Sequence, residues 1–129
     1  MTFLLDSTLL ISSLRGEASA ITLMRKLLRG GHSLVTSAVN VGEVYSGVRP
    51  NELKTAEQLF EELDIYPVSF SIAKRAGELR NAAARKGRTL QLDDMMVAAT
   101  ALEFGFSIVT ENIKDFTGVG VTLYGAGEN

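Results

Sequence analysis

The stretch QLDDMMVAAT, residues 91–100, sets Asp93 and Asp94 side by side at the head of an apolar, alanine-rich run. One aspartate there has an ordinary use, because an Asp just before a helix accepts hydrogen bonds from the unpaired N–H groups of its first turn. The second does not need that explanation. Asp6 directly follows the apolar run FLL, Glu43 lies within AVNVGEVYSG, and Asp115 comes five residues after SIVT, in TENIKDF. Taken singly, Asp6 and Asp94 read as helix caps, Glu43 as a surface residue and Asp115 as a turn residue. As a set they read differently, since an unpaired carboxylate is unwelcome among Ala38, Val39, Val41 and Val44. Two unit charges about 5 Å apart repel by roughly 3 kcal/mol at an effective dielectric near 20, several such pairs are hard to tolerate alone, and a bound divalent cation offsets the repulsion. The chain has no cysteine, and its lone His32 falls in a GGHS turn. An all-oxygen set favours Mg2+ or Mn2+ over Zn2+.

Bringing these acids together is the task of the elements around them. FLL (3–5) reads as a strand that stops at Asp6, and Ser7 and Thr8 start a helix through LLISSL. Residues 18–29 form a helix halted by Gly30 and Gly31. HSLVTS is a second strand ending near Ser37, and AVNVGEVYSGV and NELKTAEQLFEELD are helices on either side of Pro50. IYPVS is a third strand and SIAKRAGELRNAAARKG a long basic helix. MMVAATALEFG is the next helix, SIVT the fourth strand and GVTLYG the last. Such alternation predicts an α/β fold with right-handed crossovers and a short-stranded, mainly parallel sheet covered on both faces. In such sheets, groups at the carboxyl ends of the strands gather in one crevice, which places Asp6, Glu43, Asp94 and Asp115 near one another.

A chain of 129 residues predicts one domain over 1–129. Its 46% hydrophobic and 22% charged residues are a globular composition. Asp6 interrupts the first apolar residues and no basic leader precedes them, so the start reads as neither signal peptide nor membrane span; a cytoplasmic protein is the expectation. A net charge of −2 argues against nucleic-acid binding through a broadly positive surface. Yet six of the thirteen basic residues (Lys74, Arg75, Arg80, Arg85, Lys86 and Arg88) lie between 74 and 88, against Glu78 alone. That strip is either a solvated helix face or a track for phosphates.

LLDST (4–8), TSAVNVGEVYSG (36–47), LDDMMVAATAL (92–102) and VTENIKDF (109–116), in that order, resemble the PIN-domain ribonucleases, particularly the VapC-type toxins of toxin-antitoxin pairs. The resemblance runs from Leu4 to about Leu123. It implies a three-layer α/β/α sandwich, with the family's acids falling on Asp6, Glu43, Asp94 and Asp115 as catalytic metal ligands. Gly47, Val97, Ala98 and Phe116 fall on further motif positions. It further implies outer hydrogen-bonding groups at Ser37, Asp93, Thr110 and Asn112, whereas Glu111 stands where the family often has a basic residue. The implied activity is Mg2+-dependent (or Mn2+-dependent) endoribonucleolytic hydrolysis of RNA, leaving 3'-hydroxyl and 5'-phosphate ends. The substrate would be tRNA or ribosomal RNA, tracked by Arg80, Arg85, Lys86 and Arg88. The implied partners are a cognate antitoxin and a second copy of the chain. Two alternatives stay open: a PIN-like module that binds without cutting, and a phosphoacceptor signalling domain. The second fits less well, because Leu5 rather than an acid precedes Asp6 and the late strand ends in Thr110 rather than leading to a lysine.

Overall fold

The computed structural model describes residues 1–125. The expected folded unit of 1–129 therefore includes four residues that lie outside the described ones. Five strands, β1 (Thr2–Leu5), β2 (Ser33–Ser37), β3 (Asp64–Tyr66), β4 (Ser107–Thr110) and β5 (Leu123–Gly125), form one sheet in the order β3-β2-β1-β4-β5. Every neighbouring pair is parallel. Central β1 pairs Leu4 with Val35 on one side and with Ile108 on the other.

Alternation of side chains along β1 decides the layering. Leu4 faces one layer, where it packs with Val35 and Ile108 against Ile72 and Ala76 of α5 (Phe70–Arg85) and Met95, Ala98 and Ala99 of α6 (Leu92–Phe104). Phe3 and Leu5 face the other. There they meet Leu9 and Leu10 of α1 (Ser7–Leu14), Ala20 and Leu27 of α2 (Ala18–Arg29), Val44 of α3 (Ala38–Gly47) and Phe60 of α4 (Leu53–Glu61). The result is the expected three-layer α/β/α sandwich. Leu10 and Phe60 belong to this second core, with Ile11 and Leu14 half-buried at its edge, while Met96 packs half-buried against the core on the opposite face.

Local chemistry sets the element ends. The Ser37 hydroxyl accepts from the Asn40 N–H at 3.3 Å to start α3, and Ser69 does the same for Ile72 at 3.2 Å to start α5. Gly105 ends α6 with φ of 73°, a left-handed conformation that only glycine adopts without strain. The third strand is shorter than its sequence suggests, because Pro67 has no N–H to donate to β2. The helix expected after Pro50 opens as a 3₁₀ turn, Pro50–Glu52, before α4 begins. Among the described residues no helix is long and apolar enough to cross a membrane.

The chain runs outward from β1 through β2 to β3, then returns across α5 and α6 to β4 on the opposite side. Strand order therefore reverses at β1, and a crevice opens at its carboxyl end. Leu4 is fully buried at the centre of the sheet. Leu4→Ala should lower the unfolding free energy by about 2–5 kcal/mol, measured by urea denaturation.

Candidate functional site

Asp6 continues β1 into this crevice and is only 5% exposed. Its carboxylate is met entirely by neutral donors. Thr110, ending β4, donates its hydroxyl to Asp6 Oδ2 at 2.8 Å, Thr8 donates to the same oxygen at 3.4 Å, and Asn40 Nδ2 donates to Oδ1 at 3.1 Å. Burial raises the Asp6 pKa, and these hydrogen bonds, with one from the Ser7 backbone, oppose the rise.

Asn40, fully buried on α3, is the hub of the arrangement. Its carbonyl oxygen accepts from the Ser37 hydroxyl at 2.6 Å, which turns the amide nitrogen toward the acids. That NH2 group reaches Asp6, the Ser7 hydroxyl at 2.9 Å and, at the limit of 3.5 Å, Glu43 Oε1. Ser7 in turn donates its own hydroxyl to Glu43 Oε1 at 2.5 Å. Glu43 lies three residues after Asn40, so both project from one face of α3. The sequence reading missed Asn40 and took Ser7 and Thr8 only as helix starters. The usable signal was the Ser-x-x-Asn pattern at 37–40, which closes a capping box.

Asp93 and Asp94 occupy the first turn of α6. Carboxylate oxygens of Glu43, Asp93 and Asp94 all lie within 4.8 Å of one another, so Asp93, expected as an outer hydrogen-bonding group, stands in the cluster beside Asp94. Glu43 is pushed up to about 7, first by burial and then by a hydrogen bond shared with Asp93, with the charges of Asp93 and Asp6 adding to the effect. Asp94 is pushed up to about 7 by burial and then by the charges of Asp93, Asp115 and Asp6. Asp115 ends the 3₁₀ turn Ile113–Asp115 and faces Asp94 across a cavity of about 220 Å3 that Gln91, Arg88 and Lys114 also line.

The outer positions are less uniform. Thr110 bonds an acid directly, but Ser37 acts one step removed, through Asn40. Asn112 contributes its backbone N–H to the Thr110 hydroxyl at 2.9 Å. Glu111 points to the α1 side, accepting from the Ser12 hydroxyl at 2.8 Å. Of the basic strip, Lys74, Arg75, Arg80, Arg85 and Lys86 are exposed and Arg88 is half-buried. Arg80 donates Nε to the Leu90 carbonyl at 3.0 Å, and Arg88 donates to the carbonyls of Lys114 and Thr117. His32 packs edge-on against Phe3 and is not part of the cluster.

Among the described residues the one ion pair is Arg15–Glu52, so no site acid is neutralised by a protein cation. A hard divalent cation fits this donor set: it is all oxygen, anionic and partly desolvated. Asp6, Glu43, Asp93, Asp94 and Asp115 are the residues able to hold one.

Because the folded protein keeps protons on Glu43 and Asp94 up to about pH 7, whereas the unfolded chain loses them near 4, the native state binds more protons between these values. Stability of the metal-free protein therefore falls as pH rises from about 4 to about 7, and the penalty is full above that. Asp94 has no hydrogen-bond donor opposing its shift. Solvent screening keeps the effect modest, so Asp94→Asn should raise the metal-free thermal midpoint at pH 8 by roughly 4 °C, the response to about 1 kcal/mol. At pH 4.5 thermal scans should show a smaller gain; equal gains at both pH values would contradict the crowding of charge.

The PIN domain family model matches residues 3–120. Ribonuclease VapC19 of Mycobacterium tuberculosis is 30% identical over 113 residues, covering 88% of this chain and 90% of its own. The tRNA(fMet)-specific endonuclease VapC of Shigella flexneri is 26% identical over 123 residues, covering 92% of each. Of solved structures, VapBC-1 from nontypeable Haemophilus influenzae aligns with a TM-score of 0.83 at 20% identity over 99% of this chain and 100% of that one, a likeness of fold. DNA-bound VapBC from Salmonella typhimurium gives 0.82 at 22% identity over 97% and 98%. A parallel sheet with acids gathered where its strand order reverses, a family match over most of the chain and a 30%-identical ribonuclease agree: the chain belongs to the PIN-domain family, among its VapC-type ribonucleases.

Proposed function

We propose that the chain is a divalent-metal-dependent endoribonuclease that hydrolyses RNA to 3'-hydroxyl and 5'-phosphate ends, and that it is the toxin of a type II toxin-antitoxin pair. The observation that carries this reading is the cluster of Glu43, Asp93 and Asp94, with Asp6 and Asp115 close enough to act on it and none of these acids in an ion pair among the described residues. Mg2+ is the proposed ion, with Mn2+ its nearest substitute. When bound, it supplies Lewis acidity toward a water nucleophile and the scissile phosphate. Asp6, Glu43, Asp94 and Asp115 are the proposed ligands, direct or through water, with Asp93 adding a carboxylate beside Glu43. Thr110, Ser7 and Asn40 hold Asp6 and Glu43 in place with neutral hydrogen bonds, leaving their charge available to the ion. Ser37 orients Asn40, and the Asn112 N–H orients Thr110.

For substrate, the Shigella relative is named for a tRNA, and structured RNA cut in a single-stranded loop is the corresponding proposal here. Arg85 and Lys86, exposed as Lys74, Arg75 and Arg80 also are, are the proposed phosphate contacts, with the free nitrogens of Arg80 beside them. The antitoxin is proposed from the VapBC complexes that share the fold, and a homodimer is proposed with it.

Asp6→Asn should lower kcat for Mg2+-dependent RNA cleavage at least about a hundredfold, assayed on total tRNA with EDTA as the blank. Water rather than the RNA 2'-hydroxyl is the nucleophile, so a 2'-deoxy substitution at the cut site should leave measurable cleavage. Complete loss with binding intact would count against hydrolysis by water. Reversing charge at Arg85 and Lys86 should weaken RNA binding and reduce the salt slope by roughly two ions, read from affinity across a salt titration.

A further inference from the structure

Asp115 sits on a segment that no strand pairing holds. The 3₁₀ turn Ile113–Asp115 lies between β4 and β5 and lines the cavity that Asp94 also lines. Two anchors hold it there. Phe116, next in the chain, is 1% exposed and packs in the core with Leu90 and Ala98. Arg88, in the linker between α5 and α6, supplies the other. Its Nη2 donates to the Lys114 carbonyl at 3.1 Å and its Nη1 to the Thr117 carbonyl, so the guanidinium spans the backbone on both sides of Asp115.

Arg88 is itself tied down, its backbone N–H donating to the Ala83 carbonyl at 2.9 Å. Gly118 makes room for the close approach. It has φ of 84°, and a Cβ there would lie 2.9 Å from Nη1. The result is a direct link between the linker that leads into α6, which carries Asp93 and Asp94, and the turn that carries Asp115. Both segments wall the cavity that Asp94 and Asp115 share.

Resting on the metal-site reading above, we propose that Arg88 is a positioning residue whose two-pronged hold on the Lys114 and Thr117 carbonyls keeps Asp115 facing Asp94, so that both acids address one cation. Two donors in a rigid plane are needed for this; a lysine keeps the charge but loses the fork. The consequence for the basic strip is a division of labour: Arg85 and Lys86 face solvent, and Arg88 faces the protein.

R88K in the full-length chain tests the proposal. Amide exchange of residues 113–118 in the metal-free protein should accelerate about tenfold while β1 and β4 keep wild-type rates, reporting local release of the turn. The Mg2+ concentration for half-maximal RNA cleavage should rise about tenfold, the usual scale for a group that orients a ligand. RNA affinity and its salt slope without divalent ions should not change. In a D115N background, R88K should shift the Mg2+ midpoint no further, because both changes act through one carboxylate. Unaltered exchange at 113–118 overturns the proposal, as does a shallower salt slope, which would make Arg88 a phosphate contact. Additive effects of R88K and D115N overturn it too, since a support for general stability acts independently of Asp115. If Mg2+ has no effect on the wild-type protein, the metal reading fails alone, and exchange at 113–118 still judges the hold on the turn.

Discussion

Repulsion between carboxylates that the fold forces together is the constraint around which this molecule is organised. Burial raises the proton affinity of Asp6, Glu43 and Asp94, and their neighbours' charges raise it further for Glu43 and Asp94. A protein built only for stability would place an arginine among them or replace them with apolar side chains. Among the described residues none of these acids is in an ion pair: Arg15 pairs with Glu52, and Arg80 and Arg88 donate to backbone carbonyls. The electrostatic cost is borne by an otherwise close-packed sandwich, whose two cores lie on opposite faces of β1.

Neutral hydrogen-bond donors reconcile order with charge. A lysine or arginine bound to Asp6 would fix its carboxylate and also cancel it. Thr110 and Asn40 fix it and leave the negative charge in place. Asn40 suits the task because the Ser37 hydroxyl occupies its carbonyl, which removes the other amide orientation and commits the NH2 to the acids. An aspartate at that position would match its shape and add one more charge to the nest.

What could be read from the sequence depended on how local its cause was. Asp6 was legible because it ends an apolar strand, and Asp94 because it opens a helix leading to a strand. Topology then places both at the same end of the sheet. Asn40 was not legible as a hub, since its bonds to Ser7 and Asp6 join residues 33 and 34 positions apart and exist only after the sheet forms. Asp93 looked redundant beside Asp94, because adjacent helical residues diverge by about 100° along a regular helix. In the first turn of α6 both still reach Glu43. Arg80 and Arg88 carried the same charge as their neighbours on the strip, and only the fold reveals that their partners are carbonyls ten and more residues away. Among the elements, the early stop at Pro67 was available from the sequence, since proline cannot donate to a neighbouring strand.

The hydrogen bond from Thr110 to Asp6 closes a loop of 104 residues, joining the first strand to the fourth. Contacts of such span form late, after the local helices and the first crossovers. During translation, a ribosome that has made only the first hundred residues has not yet supplied Thr110 or Asp115, and a growing polypeptide of that length carries Asp6 and Glu43 without a finished centre. A chain that stops short of Thr110 therefore lacks the hydroxyl that holds Asp6 Oδ2 as well as the Asp115 carboxylate.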